Sequence, residues 1–251
     1  MERKSVTFFM LYYKRPGVTR MSMWHMAGVI KKFEKAGHKC HGIAIGDEPD
    51  QAEYCESLGI EHLNCDNDPL PDKFKFAWMS ALAKETDYIC WLGSNNVHSD
   101  EYWDACIKQL SMEPVVSFGS TRFTVVDINK EVQTTIAWKR KSYHLCSCGQ
   151  FYNTNAINKT IDFEEVFRSE RNLEESKDFD GSINNHLAVR WTPRVIVPLE
   201  SNGLSCIDLK TGTDIHPFRR YIWGDYGQEY TRDEIFEKFN ELQMLEAGYF
   251  N

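Results

Sequence analysis

Asp87-Tyr88-Ile89-Cys90-Trp91-Leu92-Gly93-Ser94-Asn95-Asn96-Val97 decides how the chain is read. Tyr88 to Leu92 is a short apolar run of strand-forming residues, and it stops at a small polar turn. A buried strand ending in Gly-Ser-Asn-Asn sets polar side chains at the carboxyl edge of a sheet. In open α/β sheets that edge is where ligands bind.

Toward the amino terminus the pattern alternates. Val6–Tyr13 is rich in strand formers and stops at Lys14-Arg15-Pro16-Gly17. A helix is predicted from Thr19 or Arg20 to Ala36, with Met23, Met26, Ala27, Ile30 and Phe33 on one face and Gly37 as its stop. Cys40–Ile45 reads as a second strand, Gln51–Leu58 as a short helix and Ile60–Leu63 as a third strand. Lys73–Lys84 repeats apolar residues at helical intervals before the Tyr88–Leu92 strand. Strands alternating with helices imply a parallel sheet covered on both faces.

Beyond Asp100 a helix is expected to about Leu110. The pattern then shifts to strands with short connections at Val115–Phe118, Arg122–Ile128 and Val132–Trp138, which favours antiparallel pairing. Ser176–Val189 reads as a helix, Arg194–Pro198 as a strand and Arg232–Leu245 as one closing amphipathic helix. The fold class expected is α/β: a mixed, mostly parallel central sheet flanked by helices. One domain over 1–251 is expected, with 1–110 as its ligand-binding half and 111–251 extending it.

Bulk properties narrow the function. The chain has 251 residues, 42% of them hydrophobic and 13% aromatic, which suits a packed globular core. A net charge of −8 argues against coating nucleic acid through bulk charge but leaves room for a local basic face. Val6–Tyr13 is too short to span a membrane and no small-residue cleavage site follows it, so a cytoplasmic protein with no membrane contact is expected. Reduced thiols follow for the eight cysteines. His144-Leu145-Cys146-Ser147-Cys148 is the one metal-like cluster; without a second cysteine pair it reads as loop or strand more readily than as structural zinc.

Taken together, the order of elements, Tyr13-Lys14-Arg15-Pro16, Gly46-Asp47, Lys73 at a helix start and Gly93-Ser94-Asn95-Asn96 resemble a GT-A-type (Rossmann-like) nucleotide-sugar glycosyltransferase. The likeness is to bacteriophage-type, DNA-modifying members, in which a Gly-Ser-Asp-Asp form of the turn is expected. It covers the first half well and the second half in outline.

The resemblance implies a UDP-sugar donor held by Tyr13, Arg15, Asp47, Lys73, Ser94, Asn95 and Lys210. Read without it, Asp47 is equally a turn residue and Lys73 equally a solvated first-turn lysine. The donor diphosphate must be neutralised as the glycosidic bond breaks, by a divalent cation (Mn or Mg) or by Lys and Arg. Here the turn carries no carboxylate, and asparagine is a poorer ligand for a hard cation. Weak metal binding through Asn95, Asn96 and neighbours such as His98 or Asp100 is one outcome, with His216 a metal or phosphate contact that the resemblance implies; basic replacement of the ion, or loss of activity, are the others.

Ser176-Lys177-Asp178-Phe179-Asp180-Gly181 resembles the acidic motif under the acceptor, which makes Asp180, then Asp178, the general base on the acceptor hydroxyl. Either acid could instead cap a helix. Lys139, Arg140 and Lys141 beside Trp138 and Tyr143, and Arg219 and Arg220 beside Tyr221 and Trp223, suit a nucleic-acid backbone with an exposed base. They also suit a solvated edge strand. The phage-type resemblance implies hydroxymethylated or already glycosylated cytosine in double-stranded phage DNA as acceptor, and a host-cytoplasmic location. A surface glycan, a lipid-linked sugar, or a nucleotide-sugar-binding protein without catalysis are the alternatives.

Overall fold

The computed structural model describes residues 2–66, 70–120, 122–127, 135–139, 149–160, 194–196, 205–210 and 229–250. In chain order the elements are β1 (Ser5–Leu11), α1 (Pro16–Lys35), β2 (Lys39–Gly46), α2 (Pro49–Ser57), β3 (Glu61–Asn64), α3 (Leu70–Leu82), β4 (Tyr88–Gly93), β5 (Asn96–His98) and α4 (Asp100–Leu110). They continue with β6 (Ser117–Gly119), β7 (Arg122–Asp127), β8 (Thr135–Lys139), β9 (Gln150–Asn153), α5 (Thr154–Thr160), β10 (Arg194–Ile196), β11 (Cys206–Lys210), β12 (Glu229–Tyr230), α6 (Arg232–Lys238) and α7 (Asn240–Glu246).

The first sheet has seven strands in the order β10-β6-β9-β4-β1-β2-β3. β3, β2, β1 and β4 are parallel neighbours. β9 runs against β4 and β6, and β10 is parallel to β6. The expected mixed, mostly parallel sheet flanked by helices is therefore the architecture observed. A second, five-stranded sheet has the order β12-β8-β7-β11-β5. β4 ends at Gly93 and β5 begins at Asn96, so the chain crosses between the sheets at Ser94-Asn95.

β1 is buried on both faces, as a central parallel strand must be. Strand alternation sends Val6, Phe8 and Met10 toward α1 and α4, where they meet Met23, Met26, Phe33 and Trp103. Phe9 faces the opposite side, with Ala77, Trp78 and Ala81 of α3. The rings meet edge-on, Phe8 to Phe33 at 5.1 Å and Phe9 to Trp78 at 5.5 Å between centroids. Each such pair adds about 0.5–1.5 kcal/mol to plain burial. A third cluster joins Val97, Val126, Ile207 and Leu209 to Ile235, Phe239 and Leu242.

α1 ends in a Schellman closure: His38 N–H donates to Phe33 O at 3.1 Å and Gly37 N–H to Glu34 O at 2.9 Å. Gly37 supplies the left-handed φ of 93° that this closure needs. A buried polar knot ties the carboxyl-terminal helices to this layer. His25 of α1 shares a 2.9 Å hydrogen bond through Nδ1 with Glu241 of α7, while its Nε2 accepts from His98 N at 3.2 Å and from Trp103 Nε1 at 3.3 Å. Two donors on Nε2 leave the ring proton on Nδ1, donated to Glu241.

Several expectations are corrected. α1 starts at Pro16, not at Thr19 or Arg20, because proline is well suited to the first helical position, where its missing N–H costs nothing. The closing helix is two helices, broken at Phe239, whose φ of −119° and ψ of 90° are extended. The strand expected at Val115–Phe118 lies at Ser117–Gly119, and that expected at Val132–Trp138 is described over Thr135–Lys139. β9, α5 and β11 were not anticipated. The Ser176–Val189 helix and the His144–Cys148 cluster lie outside the described residues.

Candidate functional site

The strand order of the first sheet reverses at β1, with β2 on one side and β4 on the other. Loops leaving the carboxyl ends of such neighbouring strands part there and open a crevice. The residues around this crevice are Tyr12 to Arg15 after β1, Asp47 and Glu48 after β2, and Ser94 and Asn95 after β4.

The loop after β1 is strained. Lys14 and Arg15 both have φ of 55°, a left-handed conformation that costs a residue with a side chain about 1–2 kcal/mol. The surroundings enforce it. Lys14 N–H donates to Glu48 Oε1 at 2.5 Å, Thr19 Oγ1 donates to Lys14 O at 3.0 Å, and Thr19 N–H donates to Arg15 O at 2.9 Å. Strain held in place by neighbours is typical of a functional loop. Its outcome is an Arg15 guanidinium turned across the crevice, where Nη2 donates to Ser94 Oγ at 3.1 Å.

Asn95 is fastened to β11. Its Nδ2 donates to Asp208 Oδ1 at 2.7 Å and to Leu209 O at 2.8 Å, and its backbone O accepts from Leu209 N at 2.8 Å. A carboxylate and a carbonyl only accept, so the orientation of the amide follows from its partners. The other Asp208 oxygen, Oδ2, pairs with Lys210 Nζ at 2.8 Å. Both side chains of that ion pair are nearly buried, at 10% and 7% exposure. Asp208 was missed on sequence. The available signal was Cys206-Ile207-Asp208-Leu209-Lys210, in which strand periodicity puts acid and base on one face and Ile207 and Leu209 on the other.

Lys73 enters from α3. It is 1% exposed and donates from Nζ to Tyr12 O at 2.6 Å, so it is no solvated lysine. Burial pulls its pKa down, against the opposing pull of the Asp47 and Glu48 carboxylates. Its ammonium lies 5.6 Å from the Tyr12 ring and 5.9 Å from the Tyr13 ring. Tyr13 is 40% exposed at the rim. Tyr12 packs over Gly46, where any β-carbon would come within 2.3 Å of the tyrosine ring, and its hydroxyl meets His62 Nε2 at 2.8 Å.

Of the expected donor residues, Arg15 thus reaches Ser94, Asn95 and Lys210 share Asp208, the Lys73 ammonium lies near the Tyr13 ring, and Asp47 follows β2 at the same sheet edge. Of the other proposed residues, Lys139 alone is described, and it is not brought there. Lys139 ends β8 opposite Arg122, whereas Lys210 pairs with Asp127, so the two lysines mark opposite ends of β7. That is a separation of about 17 Å along the strand. Asp178, Asp180, His216, Arg140, Lys141, Arg219 and Arg220 lie outside the described residues. The described cysteines are free thiols, and burial pushes Cys40 and Cys55 up to about 12, which suits neither to nucleophilic work. No described helix is long and apolar enough to cross a membrane.

No protein-family description matches the chain, and no curated protein matches it. Among solved structures, the chain is similar to the crystal structure of a glycosyltransferase involved in the glycosylation of the major capsid of PBCV-1. The identity is 11% and the TM-score 0.43, over 84% of this chain and 95% of that one.

Proposed function

We propose that the chain is a glycosyltransferase that moves a sugar from a UDP-type nucleotide donor to a hydroxyl group. One observation carries this reading: where the strand order of the parallel sheet reverses, Arg15 reaches Ser94 after β4, and Asn95 and Lys210 share Asp208. A donor diphosphate gains charge as its bond to the sugar breaks, and cations fixed at that position stabilise the transition state more than the ground state. Asp47 and Tyr13, at the ends of β2 and β1, are then the ribose and base contacts. The acceptor hydroxyl loses its proton to a carboxylate, Asp180 by first choice and Asp178 by second.

The acceptor in this reading is hydroxymethylated or already glycosylated cytosine in phage DNA. Its phosphates contact Lys139, Arg140, Lys141, Arg219 and Arg220, and the base is flipped out of the duplex. The missing carboxylates at Ser94–Asn96 motivate one competing reading, a nucleotide-sugar-binding protein without turnover. The test is transfer of labelled sugar from UDP-sugars to hydroxymethylcytosine DNA. Transfer is expected, and Asp180→Asn is expected to lower turnover at least ~100-fold with folding intact. Near-normal turnover removes Asp180 from the mechanism. Donor hydrolysis without transfer to DNA moves the acceptor to a glycan or lipid-linked sugar, and binding without any turnover leaves the competing reading.

A further inference from the structure

A divalent cation at the Ser94–Asn96 turn, which the sequence resemblance implies, does not fit the residues found there. The described carboxylate that touches the turn is Asp208, and both of its oxygens already have cationic or N–H partners, Lys210 Nζ and Asn95 Nδ2. A hard divalent ion wants several oxygen ligands at about 2.0–2.6 Å. Asn95 turns its nitrogen, not its oxygen, toward the carboxylate. An ion placed on Asp208 Oδ2 would have to expel a nearly buried ammonium or sit against it. Arg15 adds a second positive charge on the Ser94 side. Among the described residues no group of three or more His, Cys, Asp or Glu could hold a metal.

We infer that the Lys210 ammonium is the built-in counter-charge of this site, so that a nucleoside diphosphate binds here without a divalent metal; this rests on the glycosyltransferase reading above. Lys210 is well suited to it. The rigid strand β11 carries it, and Asp208 fixes its ammonium at 2.8 Å. Asn95 acts as a positioning residue by holding Asp208 from the other side.

The experiment is calorimetric titration of the full chain with UDP, GDP, ADP and CDP, in EDTA and again in Mn²⁺ or Mg²⁺. At least one diphosphate is expected to bind in EDTA, with metal changing its affinity less than tenfold. Lys210→Met should weaken that binding about 10–100-fold, as loss of a charged hydrogen bond does. The single variant leaves Asp208 buried without its cation, which costs stability. Asp208→Asn with Lys210→Met removes both charges and keeps an acceptor for Asn95; folded by circular dichroism, it should show the same loss. A gain of tenfold or more on adding metal overturns the inference while leaving the donor site standing, as does wild-type affinity in the double variant. If no diphosphate binds in either buffer, the donor site itself is refuted.

Discussion

Gly93 shows how much the site depends on single atoms. A β-carbon there would fall 1.7 Å from Asn96 Oδ1, so the glycine is required for Asn96 to fold back and reach Ile207 O at 3.4 Å. Gly93→Ala should therefore cost about 1–3 kcal/mol of stability through overpacking. Gly28 supplies the contrast. It lies inside α1 with nothing within 4 Å of a built β-carbon, and Gly28→Ala should stabilise by about 0.5–1 kcal/mol. Opposite shifts of the urea midpoint are expected, and shifts of the same sign would refute the packing account. At this scale the sequence was legible wherever a residue type had one use. Gly93-Ser94-Asn95 and Arg15 stood out because they sit at element ends, whereas Lys73, read as a helix start, lies one turn inside α3. Asp208 was hidden because an acid inside a five-residue strand resembles a surface residue until its partners are known.

Elements were legible when their period was unbroken and misleading when two arrangements share one period. Ile235, Phe239 and Leu242 are buried at spacings of four and three, which one continuous helix would also produce. The break at Phe239 therefore leaves no periodic trace. Its signs are local. Gln243 Nε2 donates to Phe236 O at 2.8 Å, which satisfies a carbonyl freed by the break, and Leu242 N–H donates to Phe239 O at 3.1 Å. α6 begins with a capping box in which Glu234 N–H donates to Thr231 Oγ1 at 3.3 Å and Thr231 N–H donates to Glu234 Oε2 at 2.7 Å. Thr231→Ala should destabilise by about 1 kcal/mol, and Thr231→Ser should restore most of it. Equal melting temperatures for all three proteins would dismiss the box as a contributor. β9 and β11 escaped notice because strands of four and five residues are defined by their partners more than by their own residues.

Across the whole molecule, the His25–Glu241 bond joins the first helix to the last. Burial alone would push the Glu241 carboxyl up, but the hydrogen bond from His25 helps outweigh it and the pKa lies below its usual value. A carboxyl lowered in the folded state adds stability above its unfolded value, near 4.3, and loses it as the pH falls through the folded value. The wild type should therefore exceed Glu241→Gln by about 1.5–3 kcal/mol at pH 7, a margin that shrinks below about pH 4.3. Urea titrations at pH 7 and pH 3.5 would read this, and a margin independent of pH would contradict it. The sequence conveyed the parallel half of the first sheet because its strands and helices alternate locally. It did not convey that β9 slots between β4 and β6, since that order is set by contacts far apart in the chain. This strand order also governs how the chain meets its own synthesis. The outer edge of β4, an apolar strand, can be covered only after Gln150–Asn153 leave the ribosome, roughly sixty residues behind Gly93. At about 5–20 residues per second that interval is on the order of 3–12 s. For those seconds the nascent chain carries a bare apolar strand edge, the kind of surface that pairs with neighbours or is held by a chaperone.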